Sequence, residues 1–486
     1  MPLRFPIYNR QKNSLINKRS QSALEYMMTY GWAILIIVIV AAVLYSFGIF
    51  SPSSSISATI TGFSGLGSVQ AECVPNAGLQ LQFGNSLGYL INVTSINITS
   101  VPGLKISPGV VLSAQQSDDF FVPYATLCSS GSRYSVSVSV AYTKPGSPFP
   151  GPYYSQGTIS SRASTAGGYV PLTITNTQLS ATPAPFQQMF NLSISSGAWY
   201  PITGYISSTY QNVMFFTSGG AVISSWLENY SSSQFVYWLK LDNGIPASSS
   251  VTAYMVFYPK SDNVLNTVNT GEAPQLSSTY AEYDDGANVF TDYWNFAGTT
   301  LPSEFSEVNA GGTITVNNGL NISMSSNWGT YIISKTTFSD NEIFGSYFKS
   351  DNINTASDAG ASLIYSTSSN LGGSQYAATQ YGNSGSYTNF VYNYANGVFP
   401  WNAIGQVYTY PTNTFYFYII GITSSGTFGN GWINNVPINS ANSNQLETSG
   451  YIALQQTQQT GIFQYVFVGA YPPNGVMPPV TFGSVS

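Results

Sequence analysis

The chain has 486 residues and 7% of them are charged, against roughly a quarter in an ordinary soluble domain; it contains no His and two Cys. That excludes His-based triads and bases, His metal ligands and Cys-rich zinc sites. A net charge of −6 with 13 cations lacks the Lys/Arg footprint of a nucleic-acid binder, so no nucleic-acid partner is expected, while 43% hydrophobic residues suffice for packed cores.

Five cations, Arg4, Arg10, Lys12, Lys18 and Arg19, fall within residues 1–20, ahead of the first acid, Glu25. No charge then occurs from Tyr26 to Ala71. The apolar run Gly31–Phe50 spans about 30 Å as a helix, the thickness of the bilayer's hydrocarbon core. The pattern predicts a basic leader over 1–20 and a transmembrane helix over 21–50. The positive flank stays cytoplasmic, so the rest of the chain is expected outside the cell membrane, at the cell surface. A secretory signal has a shorter apolar region of about 7–15 residues. An uncleaved signal anchor is therefore one reading.

The stretch Lys18-Arg19-Ser20-Gln21-Ser22-Ala23-Leu24-Glu25-Tyr26 resembles the class III signal peptide of archaeal type IV pilin-like proteins. Ala23 stands where that family usually has Ser, and Thr29 where Leu is frequent. The resemblance implies cleavage between Ser20 and Gln21 by a prepilin-type peptidase, with Glu25 at the fifth mature position. It also implies self-assembly into a filament, in which the new amine of Gln21 neutralises Glu25 of a neighbouring copy. A carboxylate at the head of an apolar helix is costly unless it is paired or lies among headgroups.

Beyond the linker at Ser51-Pro52-Ser53, alternating runs such as Tyr134–Tyr142 and Leu79–Phe83 separated by turn residues predict an all-β chain. The expected fold class is a series of β-sandwiches, Ig-like first and then two of jelly-roll type, behind one N-terminal transmembrane helix. The first sandwich is placed at 55–162 and holds Cys73 and Cys128, expected to form a disulfide in an extracellular setting, with two buried thiols as the alternative.

The second unit, 165–283, carries Asn212–Gly220, Ser225–Tyr230, Phe235–Leu241, Ile245–Ala247 and Thr252–Tyr258. These stretches resemble an extracellular β family, domain of unknown function 2341, which implies location and architecture rather than activity. The third, 284–486, has strand-like runs at Gly312–Val316, Glu342–Phe348, Phe415–Thr423, Gly450–Leu454 and Phe463–Val468, and a hairpin at Trp432–Val436. It resembles the concanavalin-like (laminin G-like) lectin/glucanase jelly roll.

The resemblance to glucanases would imply paired carboxylates on one strand, Glu-x-Asp-x-x-Glu. No such motif occurs, so no catalytic residue is assigned and the chain is not expected to be an enzyme. The acidic run Glu282–Asn288 offers Asp284 and Asp285, with Asp292 nearby, as oxygen ligands for Ca²⁺, although its spacing is not that of an EF-hand and a polar domain junction is the favoured reading. No other cofactor is expected. Trp401, Tyr408 and Tyr410 are candidate stacking surfaces for sugar rings. Sequons at Asn92, Asn97, Asn191, Asn229 and Asn321 are candidate glycosylation sites. Together these readings predict a pilin-like or adhesin-like surface protein with polysaccharide or cell-surface glycan as partner. A membrane-anchored lectin that never polymerises is the alternative, and a surface glycosidase a remoter one.

Overall fold

Along Gly168–Asn176 every second side chain is buried, Gly168, Val170, Leu172, Ile174 and Asn176, while Tyr169, Pro171, Thr173 and Thr175 stand half-exposed between them. Period-two burial of this kind, with Ser, Thr and Gln on the wetter face, builds the protein. The computed structural model describes residues 30–32, 34–40, 58–193, 202–231, 234–324, 330–350, 359–366, 369, 371, 376–383, 389–394, 415–422, 431–433, 436–438, 449–457 and 459–485. The described chain is almost wholly antiparallel sheet, arranged as three successive sandwiches.

In the first, a six-stranded sheet built around Arg133–Thr143 and Ile91–Ile98 faces the three-stranded sheet Leu66–Val74, Gly78–Asn85, Ser117–Pro123. Leu79, Leu81, Phe83, Phe120 and Val122 meet Ile91, Val93, Val138, Val140 and Ile159 in the core between them. The disulfide Cys73–Cys128 ties this core to the loop beyond Pro123.

The second pairs a sheet ordered Val213–Thr217, Ser249–Phe257, Gly168–Asn176, Val480–Phe482 with a sheet ordered Phe186–Ser193, Gln234–Leu241, Ser225–Tyr230, Thr270–Glu272. The unit predicted at 284–486 ends in a strand that lies apart from it. The C-terminal strand leaves the third sandwich and pairs with the second, Leu172 opposite Phe482 and Ile174 opposite Val480. Phe482 thereby packs against the core of the second unit, 6.1 Å from the Phe190 ring.

The third sandwich stacks an eight-stranded on a seven-stranded sheet. Alternation along Glu342–Ser350 and Gln459–Ala470 sends Phe344, Phe348, Val466 and Val468 into its core. The opposite face of the same strands, Ile343, Tyr465 and Phe467 together with Phe417 and Ile419, is buried against Met189, Trp226, Val236 and Trp238 of the second unit. Trp226 lies 5.0 Å from Tyr465, and Trp238 lies 5.2 Å from Phe467, ring centre to ring centre. Gly345 sits under Phe467; a Cβ there would run into the ring. The eight-stranded sheet is thus closed on both faces over these strands.

At the N-terminus, residues 30–32 and 34–40 are helical. Among the described residues no helix is long and apolar enough to cross a membrane. Ser20, Gln21 and Glu25 lie outside the described residues.

Candidate functional site

The outer face of the three-stranded sheet is polar where its inner face is apolar. In Leu79-Gln80-Leu81-Gln82-Phe83 the leucines and Phe83 enter the core, so Gln80 and Gln82 must face out. Register then sets their neighbours. Gln70, Gln82 and Asp119 stand opposite one another in one row; Glu72, Gln80 and Phe121 form the next. Phe121 packs on Phe216 of the second unit at 5.2 Å, which closes that end of the face. What stays open is a cleft of about 260 Å³ lined by Gln70, Ala71, Glu72, Gln80, Gln82 and Asp119.

Asp119 is buried and accepts three amide hydrogen bonds: from Gln80 Nε2 at 3.2 Å and Gln82 Nε2 at 3.3 Å on Oδ1, and from Asn269 Nδ2 at 3.3 Å on Oδ2. Burial raises its pKa above the ordinary carboxylate range, and the three amides oppose that. Glu72 Oε1 accepts the Ser164 hydroxyl at 2.6 Å. Burial raises Glu72 as well, Ser164 opposing and the charge of Asp262 adding to it. Behind the cleft the Tyr258 side chain is 2% exposed, its hydroxyl has no hydrogen-bond partner, and burial, with the charges of Glu72 and Asp119 adding to it, pushes its pKa well up. The face therefore presents carboxyl and amide groups, each able to meet a hydroxyl, with no Lys or Arg in its lining.

None of these residues was singled out from the sequence. The signal was there in part: alternation in Leu79–Phe83 marks one polar face. The partner Gln70 comes from the register of the neighbouring strand and Asp119 from a strand 37 and more residues away, which composition does not encode.

The predicted residues fall elsewhere. Asp284 is surrounded by donors: Trp226 Nε1 at 2.9 Å, the Gly286 amide at 3.1 Å, the Tyr293 hydroxyl at 2.8 Å and Asn295 Nδ2 at 2.7 Å. Asp285 is buried with both carboxylate oxygens unpartnered, and desolvation followed by the charge of Asp284 pushes its pKa well up. Asp292 lies on Asp292–Trp294, half-buried and also raised by burial. Among the described residues no group of three or more acids or thiols is placed to hold a metal ion. Asp284 is thus hydrogen-bonded at the junction between the second and third sandwiches, to Trp226 on one side and to Tyr293 and Asn295 on the other.

Cys73 and Cys128 are bonded as predicted. Of the sequons, Asn191 and Asn229 are exposed, while Asn92, Asn97 and Asn321 are half-buried within strands. The Oδ1 of Asn92 is buried without a partner. Trp401, Tyr408 and Tyr410 lie outside the described residues.

No family model matches the chain, so neither the pilin-type leader nor domain of unknown function 2341 gains a match. Uncharacterized protein 562 of Sulfolobus islandicus rod-shaped virus 1 is 29% identical over 339 residues, which are 63% of this chain and 57% of that protein. The chain thus spans little more than half the length of this relative. Among solved structures, the carbohydrate-binding module CBM66 from Bacillus subtilis is similar at 15% identity and a TM-score of 0.27, covering 34% of this chain and 96% of that one. A Bacillus licheniformis beta-glucanase is similar at 11% identity and a TM-score of 0.29, covering 37% of this chain and 97% of its own.

Proposed function

We infer that the chain is a surface-displayed structural and adhesive protein, held by its N-terminal helix and presenting its β-sandwiches outward to a polysaccharide or cell-surface glycan. One observation carries the reading: on the helical stretch, Tyr30, Trp32 and Ile34 through Val40 are 47–67% exposed, apolar on every side. A helix with that surface belongs in lipid or in a bundle of like helices. The low charge and the three successive sandwiches suit an exposed, extended binder.

In this reading Ser20–Gln21 is the leader cleavage site for a prepilin-type peptidase, and Glu25 pairs with the freed amine of a neighbouring copy in a filament. A membrane-anchored lectin that stays unpolymerised is the second reading, favoured by the polar cleft, which needs no filament to work. Both are binders rather than enzymes. N-terminal sequencing of protein taken from the cell surface separates them: a chain starting at Gln21 supports the filament, and one starting at Met1 or Pro2 overturns it. Protease added to intact cells is expected to digest the sandwiches. Resistance that disappears on lysis would overturn surface display, and release of sugar from a polysaccharide, abolished by a carboxylate substitution, would overturn the non-enzymatic reading.

A further inference from the structure

The outer face of the first sandwich's small sheet carries more polar chemistry than the junction beside it uses. Phe121, Met214, Phe216 and Val256 bury that junction with apolar surface, and Asn269 Nδ2 crosses it to Asp119 Oδ2 at 3.3 Å. Next to it, five polar side chains from three strands converge on open space.

Several ligand classes fit poorly. An anion such as a phosphate or carboxylate would find no countercharge, since no Lys or Arg lines the cleft. A cation would find Asp119 already met by three amide donors. A flat apolar ligand would strand the glutamines without partners. Gln80 donates to Asp119 and to the Met214 sulfur and keeps its carbonyl oxygen, while Gln82 gives one N–H to Asp119 and keeps a carbonyl oxygen and a second N–H. Glu72 keeps one oxygen beyond its bond from Ser164. Gln70 is exposed at the rim. Donors and acceptors thus alternate across strands about 5 Å apart, with same-face neighbours about 7 Å apart along each strand. Groups that donate and accept at once, which is to say hydroxyls, satisfy such a lattice. Pockets for drug-sized ligands run to about 300–1,000 Å³, so a cleft of about 260 Å³ takes the end of a chain rather than its length.

We propose that this cleft binds a neutral, hydroxyl-rich ligand, the terminal one or two sugar rings of an uncharged glycan, through Gln70, Glu72, Gln80 and Gln82. The proposal deepens the adhesive reading above and rests on its glycan partner, though not on its membrane anchor. It also moves recognition from the third sandwich, where the sequence placed it, to the first.

The test uses the full chain in mild detergent against an array of neutral gluco-, manno- and galacto-oligosaccharides, with sulfated and uronic-acid glycans and CaCl₂ as comparison probes. Gln70→Ala and Gln82→Ala alter exposed or half-buried positions, and their melting temperatures check that the fold is kept. Each is expected to weaken binding of the captured neutral glycan by about tenfold, the worth of one or two hydrogen bonds. Capture that neither substitution changes, capture of no neutral glycan, preference for the anionic glycans, or Ca²⁺ binding lost in the variants would each overturn it. The two proposals fail separately. Surface protein whose glycan capture ignores Gln70 and Gln82 sinks the cleft alone; protein confined inside cells whose capture depends on Gln82 sinks surface display alone.

Discussion

Asn269 donates through Nδ2 to Asp119 Oδ2 at 3.3 Å, across 150 residues of sequence, and so links the second sandwich to the first at the edge of the polar cleft. The bond serves a buried carboxylate that the two glutamines meet only on its other oxygen. Asn269→Ala leaves that oxygen without its donor in a buried setting. The expected loss is about 1–3 kcal/mol, read from urea unfolding, because an unsatisfied buried acceptor costs its full desolvation. A loss within error of zero would mean that solvent reaches Asp119 from the second unit.

Asp284 makes a sharper case. Its carboxylate gathers Trp226, Tyr293 and Asn295 from either side of the junction between the second and third sandwiches. Asp284→Ala would leave three side-chain donors without an acceptor, for an expected loss of about 3 kcal/mol or more. Chelator or added Ca²⁺ is expected to leave the melting temperature of the unmodified chain where it is. An ion that bound only the folded state would raise it, so a calcium-dependent rise of several degrees would restore these acids as ligands.

The disulfide sits directly behind the cleft. Cys73 follows Glu72, and its carbonyl accepts both the amide of Ser164, at 3.0 Å, and the hydroxyl that also binds Glu72. The bridge closes a loop between residues 55 apart. In the chain-entropy account such a cross-link contributes about 4 kcal/mol. Paired Cys73→Ala and Cys128→Ala substitutions are expected to lower the urea midpoint accordingly. Reductant is expected to weaken glycan capture by the cleft if the bridge holds Glu72 in place.

Much of this architecture is legible in the sequence, and the exceptions share a cause. Phe235-Val-Tyr-Trp-Leu is a continuous apolar run, the pattern of a strand buried on both faces, and Phe235, Tyr237 and Leu239 indeed enter one core while Val236 and Trp238 enter another. The predicted hairpin at Trp432–Val436 appears as Gly431–Ile433 paired with Val436–Ile438, Ile433 opposite Val436. Local alternation and turn chemistry encode such elements. The C-terminal strand does not follow from local pattern: three residues, Val480–Phe482, find their partner more than 300 positions earlier. Nor does the fate of Asp284, whose neighbour Trp226 is 58 residues away in sequence and arrives only once two sheets have packed. The cleft is of the same kind, since its chemistry lies in register rather than in any segment.

The buried acids give the whole protein a pH dependence of unusual sign. Burial raises Glu72, Asp119, Glu272, Asp284, Asp285 and Asp292, lifts Asp118 from 3.8 to about 6, and lifts Glu342 from 4.5 to about 7 with help from the charge of Asp292. A carboxyl whose folded pKa lies above its unfolded value binds more protons in the folded state between the two. Stability then falls as pH rises through that interval. The usual acid-labile pattern is thereby reversed: the melting temperature is expected to be higher near pH 4 than near pH 7, with most of the decline between about 4 and 7. Glu342 has a buried oxygen without a partner, so it contributes to the upper part of that decline. Glu342→Gln is expected to flatten the curve between pH 5 and about 7 while leaving the acid limb unchanged. A melting temperature that rises steadily from acid to neutral pH would mean that the folded protein ionises these carboxyls freely. That would count against their burial.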